Sequence, residues 1–139
     1  MFKKLTIILL LLVLVLIMGT VALAQESESK QLYFRFVTHG GDDPFWAVVV
    51  KGAQDAAQLL NCKVDFDLVG GDLALQQKRM QEAIAMNVDG IALVINDDTV
   101  WDKLVEDALA KGIPVVAIDN DDTEGDRGNK RLTYIGQDE

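Results

Sequence analysis

"GIALVINDDTVWDKLVEDALAKGIPVVAI", residues 90–118, holds two apolar runs separated by a segment of helical period. Residues 90–95 and 113–118 lack the polar alternation of a half-wet strand, as expected of strands covered on both faces. Between them the spacing predicts a helix over 100–110, capped by Thr99 or Asp98 and stopped by Gly112, with Pro114 beyond. Strand, helix, strand in this order places the two strands side by side and parallel, joined by a right-handed crossover.

The same alternation continues in both directions. "LYFRFVT" (32–38) reads as a first strand, followed by a helix over 44–60 with Asp43 as N-cap and Pro44 at the first helical position. Phe45, Val48, Val49, Gly52, Ala56 and Leu59 share its expected buried face, with Trp46, Val50, Ala53 and Ala57 along a flank. "KVDFDLV" (63–69) is a second strand, ended by Gly70, Gly71 and Asp72. A second helix spans 73–86 with Leu73, Gln77, Met80 and Ile84 in line, and Asn87 is placed to close it in a left-handed conformation. A polar loop and a short last strand, "LTYIG" (132–136), complete the pattern. The fold class is therefore α/β, a parallel sheet with helices on both faces. Ligands of such sheets sit beyond the carboxyl ends of the strands. That rule selects loops 39–43, 70–72, 96–99 and 119–129, all of which carry aspartate.

The first 24 residues read as an address. Lys3 and Lys4 precede an apolar run over 5–18, and Ala22-Leu23-Ala24 offers a cleavage site before the polar "QESESK". An uncleaved anchor is the alternative, because about 20 apolar residues span a bilayer. Residues 25–31 form a polar linker and 32–139 one domain. The net charge of −9 becomes −11 once Lys3 and Lys4 are removed, which argues against nucleic acid or anionic lipid as partner and for a neutral or cationic ligand. Cys62 is the one cysteine, so there is no internal disulfide and no Cys-rich metal site.

Catalytic sets are hard to assemble. Neither G-x-G-x-x-G nor a P-loop occurs, no serine follows Ser29, and His39 is the only histidine. His39 then reads as a loop histidine hydrogen-bonded near a ligand, and no enzyme or cofactor is expected. Asn120, Asp122, Glu124 and Gly125 follow a calcium-loop register, but its twelfth position is Arg131 where a bidentate Glu is needed. No metal is expected, and the segment reads as a solvated acidic loop. Asp119 ends a rigid strand; its carboxylate either accepts two neighbouring sugar hydroxyls or caps a turn. Phe45 and Trp46 open the first helix, where their rings either join the core or lie against the C–H faces of a sugar.

"FVTHGGDDPFWAVVVKGAQDAA" (36–57), "MQEAIAMNVDGIALVI" (80–95), "LVEDALAKGIPVVAIDND" (104–121) and "YIGQD" (134–138) resemble the N-terminal lobe of periplasmic sugar-binding proteins of ABC transporters, the ribose-binding type. The resemblance covers the chain from about Leu32. It implies one half of a two-lobed clamp that closes on a monosaccharide or polyol in the periplasm and hands it to a membrane permease, with the second lobe lying beyond this sequence. It also implies that Asp43 contacts the ligand, that Phe45 and Trp46 stack on its ring, and that Asp119 and Asn120 bind its hydroxyls. Two departures make the site more negative than the ribose-binding pattern: Asp42-Asp43 replaces Asn-Asn before the proline, and Asp119-Asn120 replaces Asp-Arg. A different pentose or hexose, an inositol-like polyol or an amino sugar fits that change better than ribose. The other expectation is a membrane-anchored sensing domain of the same fold, held by an uncleaved first segment.

Overall fold

The computed structural model describes residues 30–137. The expected leader and most of the linker, like Asp138 and Glu139, lie outside the described residues. The elements are β1 (Tyr33–Thr38), α1 (Pro44–Leu59), β2 (Lys63–Leu68), α2 (Leu73–Ala85), β3 (Gly90–Leu93), α3 (Asp102–Ala110), β4 (Val115–Ile118), a 3-10 turn (Gly125–Arg127) and β5 (Tyr134–Ile135). Among the described residues, the strands form one parallel sheet in the order β2-β1-β3-β4-β5. The 90–118 stretch is the βαβ unit its pattern requires, although its strands are shorter than the apolar runs. Val94 and Ile95 leave β3 and bond instead to the Val37 and Asn120 carbonyls, which steers the chain toward the loops at this end.

Strand alternation splits the apolar residues between two layers. Val37, Ile91, Leu93, Val115 and Ala117 meet Met80, Ala83 and Ile84 of α2 and Leu104, Val105 and Ala108 of α3 in one continuous core, with Trp101 wholly buried among them. On helix α2 the buried glutamine is Gln76, not Gln77 of the expected stripe. Its side-chain Nε2 donates to the Val94 carbonyl at 3.0 Å and its Oε1 accepts from Asn96 at 3.1 Å. A glutamine tolerates burial when it ties off carbonyls where a ladder ends. Asn87 closes α2 at φ 53°, as its position suggests.

Helix α1 covers the opposite sheet face alone among the described residues, and it does so on a different stripe from the one expected. Trp46 and Ala57 are buried, whereas Val48 is 74% and Leu59 85% exposed. Apolar residues occupy more than half of this helix's circumference, so periodicity could not choose the inward side. The small Ala53 and Ala57 let the backbone approach the sheet, and the bulkier Val48 and Leu59 turn outward. Beside α1 an apolar groove over Phe34, Ala92, Val116 and Leu132 remains open among the described residues.

Candidate functional site

At the carboxyl ends of the strands each selected loop is folded by its own side chains. Asp43 caps α1 as its position predicts: its Oδ1 accepts from the backbone N–H groups of Phe45 at 3.0 Å and Trp46 at 3.2 Å. The other oxygen has no protein donor among the described residues. Gly40 has no side chain because Trp46 occupies the space; a Cβ there would lie 2.4 Å from the indole. The His39 and Gly40 carbonyls accept from Gly71 and Gly70 at 2.8 and 2.7 Å, which locks loop 39–43 to the loop after β2.

The loop after β3 uses a different cap from those expected. Asp97, rather than Thr99 or Asp98, accepts from the Thr99 and Val100 N–H groups, and Trp101 stands at the N-cap of a helix that starts at Asp102. Asp98 instead reaches across to accept from the Thr123 N–H at 3.0 Å and from its hydroxyl. Hydrogen bonds from the Thr99 and Val100 N–H groups hold Asp97 below the ordinary carboxylate range, and the Thr123 hydroxyl and N–H do the same for Asp98. Depressed folded-state values stabilise the fold above about pH 4, the unfolded value for aspartate, and that contribution fades as pH falls through the lowered folded values. Thermal melts between pH 6 and pH 2 are expected to lose stability from about pH 4 downward, with Asp98→Asn reducing the slope.

The acidic loop after β4 is solvated only in part: Thr123, Glu124 and Arg127 are exposed as expected, whereas Asp122 and Asn129 are buried. Asp122 is 3% exposed and accepts from the backbone N–H and side-chain amide of Asn129, both at 2.8 Å, and from the Glu124 N–H. A Cβ at Gly128 would collide with that carboxylate. Asp121 pairs with Arg131. Asp121 and Asp122 thus serve as the loop's internal acceptors, and the cation at position 131 pairs with Asp121.

Asp119 differs from these. It has φ 63°, in the left-handed region that favours glycine. Its backbone is held on both sides by β5: its N–H donates to the Ile135 carbonyl at 3.2 Å and its carbonyl accepts from the Tyr134 hydroxyl at 2.6 Å. Phe45, Trp46, Asp119, Asn120 and Tyr134 line one cavity of about 580 Å³, within the usual size for a small-molecule site. Its lower wall runs into the open apolar groove beside α1.

The cavity therefore brings together four of the residues singled out in the sequence, and leaves His39 and Asp43 out of its wall. Phe45 is 47% exposed; Trp46 is 4% exposed and packs in T-shaped contact with both Phe45 and His39. His39 Nδ1 is buried without a hydrogen-bond partner among the described residues. Tyr134 was missed by sequence reasoning. Tyr134 opens the "YIGQD" segment of the resemblance, but that segment assigns it no role, and only the fold brings its hydroxyl to residue 119.

Comparison with known proteins decides the family. Residues 34–139 match the periplasmic binding protein domain. The chain belongs to the periplasmic binding protein family. A xylose/arabinose-binding protein, XylF, of Sulfolobus acidocaldarius is 33% identical over 111 residues, covering 73% of this chain and 27% of its own length. The crystal structure of a periplasmic sugar-binding protein of an ABC sugar transporter from Legionella pneumophila is 30% identical with a TM-score of 0.73, over 78% of this chain and 40% of that one. GanP, a glucose-galactose-binding protein of Geobacillus stearothermophilus, is 26% identical with a TM-score of 0.71, over 79% and 38%. The chain spans less than half the length of these relatives. All residues of the cavity wall fall inside the segment matched to the periplasmic binding protein domain.

Proposed function

We propose that this chain is one lobe of an extracytoplasmic solute-binding protein that takes up a monosaccharide or polyol and delivers it to an ABC importer. Residues 1–24 would serve as the export signal, 25–31 as the linker and 32–139 as the lobe, working in the periplasm. The observation that carries the reading is the pairing of the half-exposed Phe45 ring with the Asp119 carboxylate in one cavity wall, at the end of the sheet where such folds bind ligands. An apolar ring suits the C–H face of a sugar, and a carboxylate at an open rim accepts from vicinal hydroxyls. Asn120 adds a donor and an acceptor at the same rim. Trp46 packs edge-on against Phe45 and supports its ring, while Asp43 and His39 lie outside the cavity wall and act only by holding the loop and helix that carry the aromatic pair. The names of the relatives, which include xylose/arabinose- and glucose-galactose-binding proteins, favour neutral aldoses as the first ligands to try.

The test is a saturation-transfer NMR titration of the chain with xylose, arabinose, glucose, myo-inositol and glucosamine. Binding of at least one is expected, weakened by about 1–2 kcal/mol in Phe45→Ala, somewhat less than the full value of a buried phenyl ring. Transfer that is equal in Phe45→Ala and the unmodified chain would exclude this site.

A further inference from the structure

The left-handed backbone of Asp119 costs free energy for a residue with a Cβ, of order 1 kcal/mol or more. Such strain persists only where the surroundings impose it. Here the residues that bond its own backbone are the two of β5, beside the Ile95 N–H that holds the next carbonyl, that of Asn120. The Ile135 carbonyl takes the Asp119 N–H, and the Tyr134 side chain folds back so that its hydroxyl, 2.6 Å away, donates to the Asp119 carbonyl. The fold-back needs space beside the chain two residues later. Gly136 supplies it, for a Cβ at that position would lie 1.7 Å from the Tyr134 hydroxyl oxygen. Gly136 is not in the left-handed region, so backbone freedom does not explain the glycine, whereas room for the phenol does. Tyr134, Gly136 and Asp119 all line the same cavity.

We propose that Tyr134 is a positioning residue for ligand recognition: its hydroxyl clasps the Asp119 carbonyl, holds residue 119 in the left-handed conformation and so aims the carboxylate at the ligand, with Gly136 present to admit the phenol. The proposal rests on the sugar-binding reading of this cavity. In an extended conformation at residue 119 the side chain would leave the direction it now has, although Asp119 itself would be unchanged. The clasp therefore acts on geometry alone, and neither removing the hydroxyl nor adding a methyl at 136 alters the charge of the site.

The experiment uses the full chain in five variants, Tyr134→Phe, Gly136→Ala, Asp119→Ala and the first two each combined with Asp119→Ala, with the titration against xylose, arabinose and glucose described above. Tyr134→Phe is expected to weaken binding by about 3- to 10-fold, the range for one hydrogen bond, and Gly136→Ala by at least as much. Neither change is expected to weaken binding further when added to Asp119→Ala, a silence that a general loss of stability would not produce. In the ligand-free chain, the amide-to-Hα coupling of residue 119 is expected to move from its left-handed value toward an extended one in both variants. An unchanged coupling overturns the clasp whatever the binding data show. Coupling that shifts with affinity intact overturns its role in recognition while leaving the sugar-binding reading standing. Full binding in Asp119→Ala, by contrast, defeats the reading itself and the proposal with it.

Discussion

Asp67→Ala is expected to lower the unfolding free energy by about 3–5 kcal/mol, the cost of breaking a buried ion pair from one side, seen as a fall in the urea midpoint at pH 7. Arg35 lies on the inner surface of β1 and is 8% exposed. Register places it directly opposite Asp65, two residues from Asp67 along β2. Its Nε donates to Asp67 Oδ2 at 3.0 Å and its Nη2 reaches the same oxygen, while Arg79 of α2 stands 3.6 Å from Oδ1. Removing the carboxylate takes away the anion hydrogen-bonded to this interior guanidinium and leaves it with weaker neighbours, the Met86 sulfur at 3.6 Å, Tyr33 and the more distant Asp65 and Glu82 carboxylates. The loss comes from that stranded charge, not from the worth of the pair. Hence Asp67→Leu combined with Arg35→Met should recover most of the lost stability. If the double variant is as unstable as the single, the burial of Arg35 is not the cause.

Trp101→Ala is expected to cost about 3–5 kcal/mol, the range for emptying a large buried aromatic site, and to loosen loop 96–99 as well. Trp101 is wholly buried, and its Nε1 donates to Asn96 Oδ1 at 3.1 Å. Asn96 in turn donates to Gln76, and Gln76 to the Val94 carbonyl. One indole thus fills core space beside α2 and α3 and anchors a polar chain that ties the loop after β3 to the Val94 carbonyl. Trp101→Phe keeps most of the volume and discards the donor, so about 1–2 kcal/mol is expected for it. Hydrogen exchange should show faster opening at residues 96–99 in both variants. A Trp101→Phe chain as unstable as Trp101→Ala would mean that the hydrogen bond, and not the volume, dominates.

The order of elements was legible because each strand and helix carries its own period and its own stop. The run 90–95 could only be a strand buried on both sides, and Gly112 and Asn87 end their helices where they stand. Which stripe of α1 faces inward was not legible, since Phe45, Val48, Gly52 and Leu59 are as apolar as Trp46, Ala53 and Ala57; Trp46 fills the space left by Gly40, and Ala53 and Ala57 then face the sheet. Gln76 was likewise hidden, because a polar side chain is placed inside only by carbonyls that tertiary structure leaves unpaired. In the cavity, the aromatic pair and Asp119 were recognisable from their places at the ends of elements. Tyr134 and Gly136 were not, because their meaning depends on a hydroxyl and a carbonyl 15 residues apart in sequence. The acidic loop misled for the same reason: the partners of Asp121 and Asp122 lie at 129 and 131.

The open groove beside α1 bears on how this chain should unfold. Among the described residues, Phe34, Val116 and Leu132 of its lining already meet water in the native state, so denaturation adds less newly wetted surface than in a domain whose sheet is covered on both sides. The heat-capacity increment should then fall below the usual value of about 12–15 cal/mol/K per residue, and the sensitivity of stability to urea should be shallow for a chain of this length. A flatter stability curve with temperature follows from the same wet face.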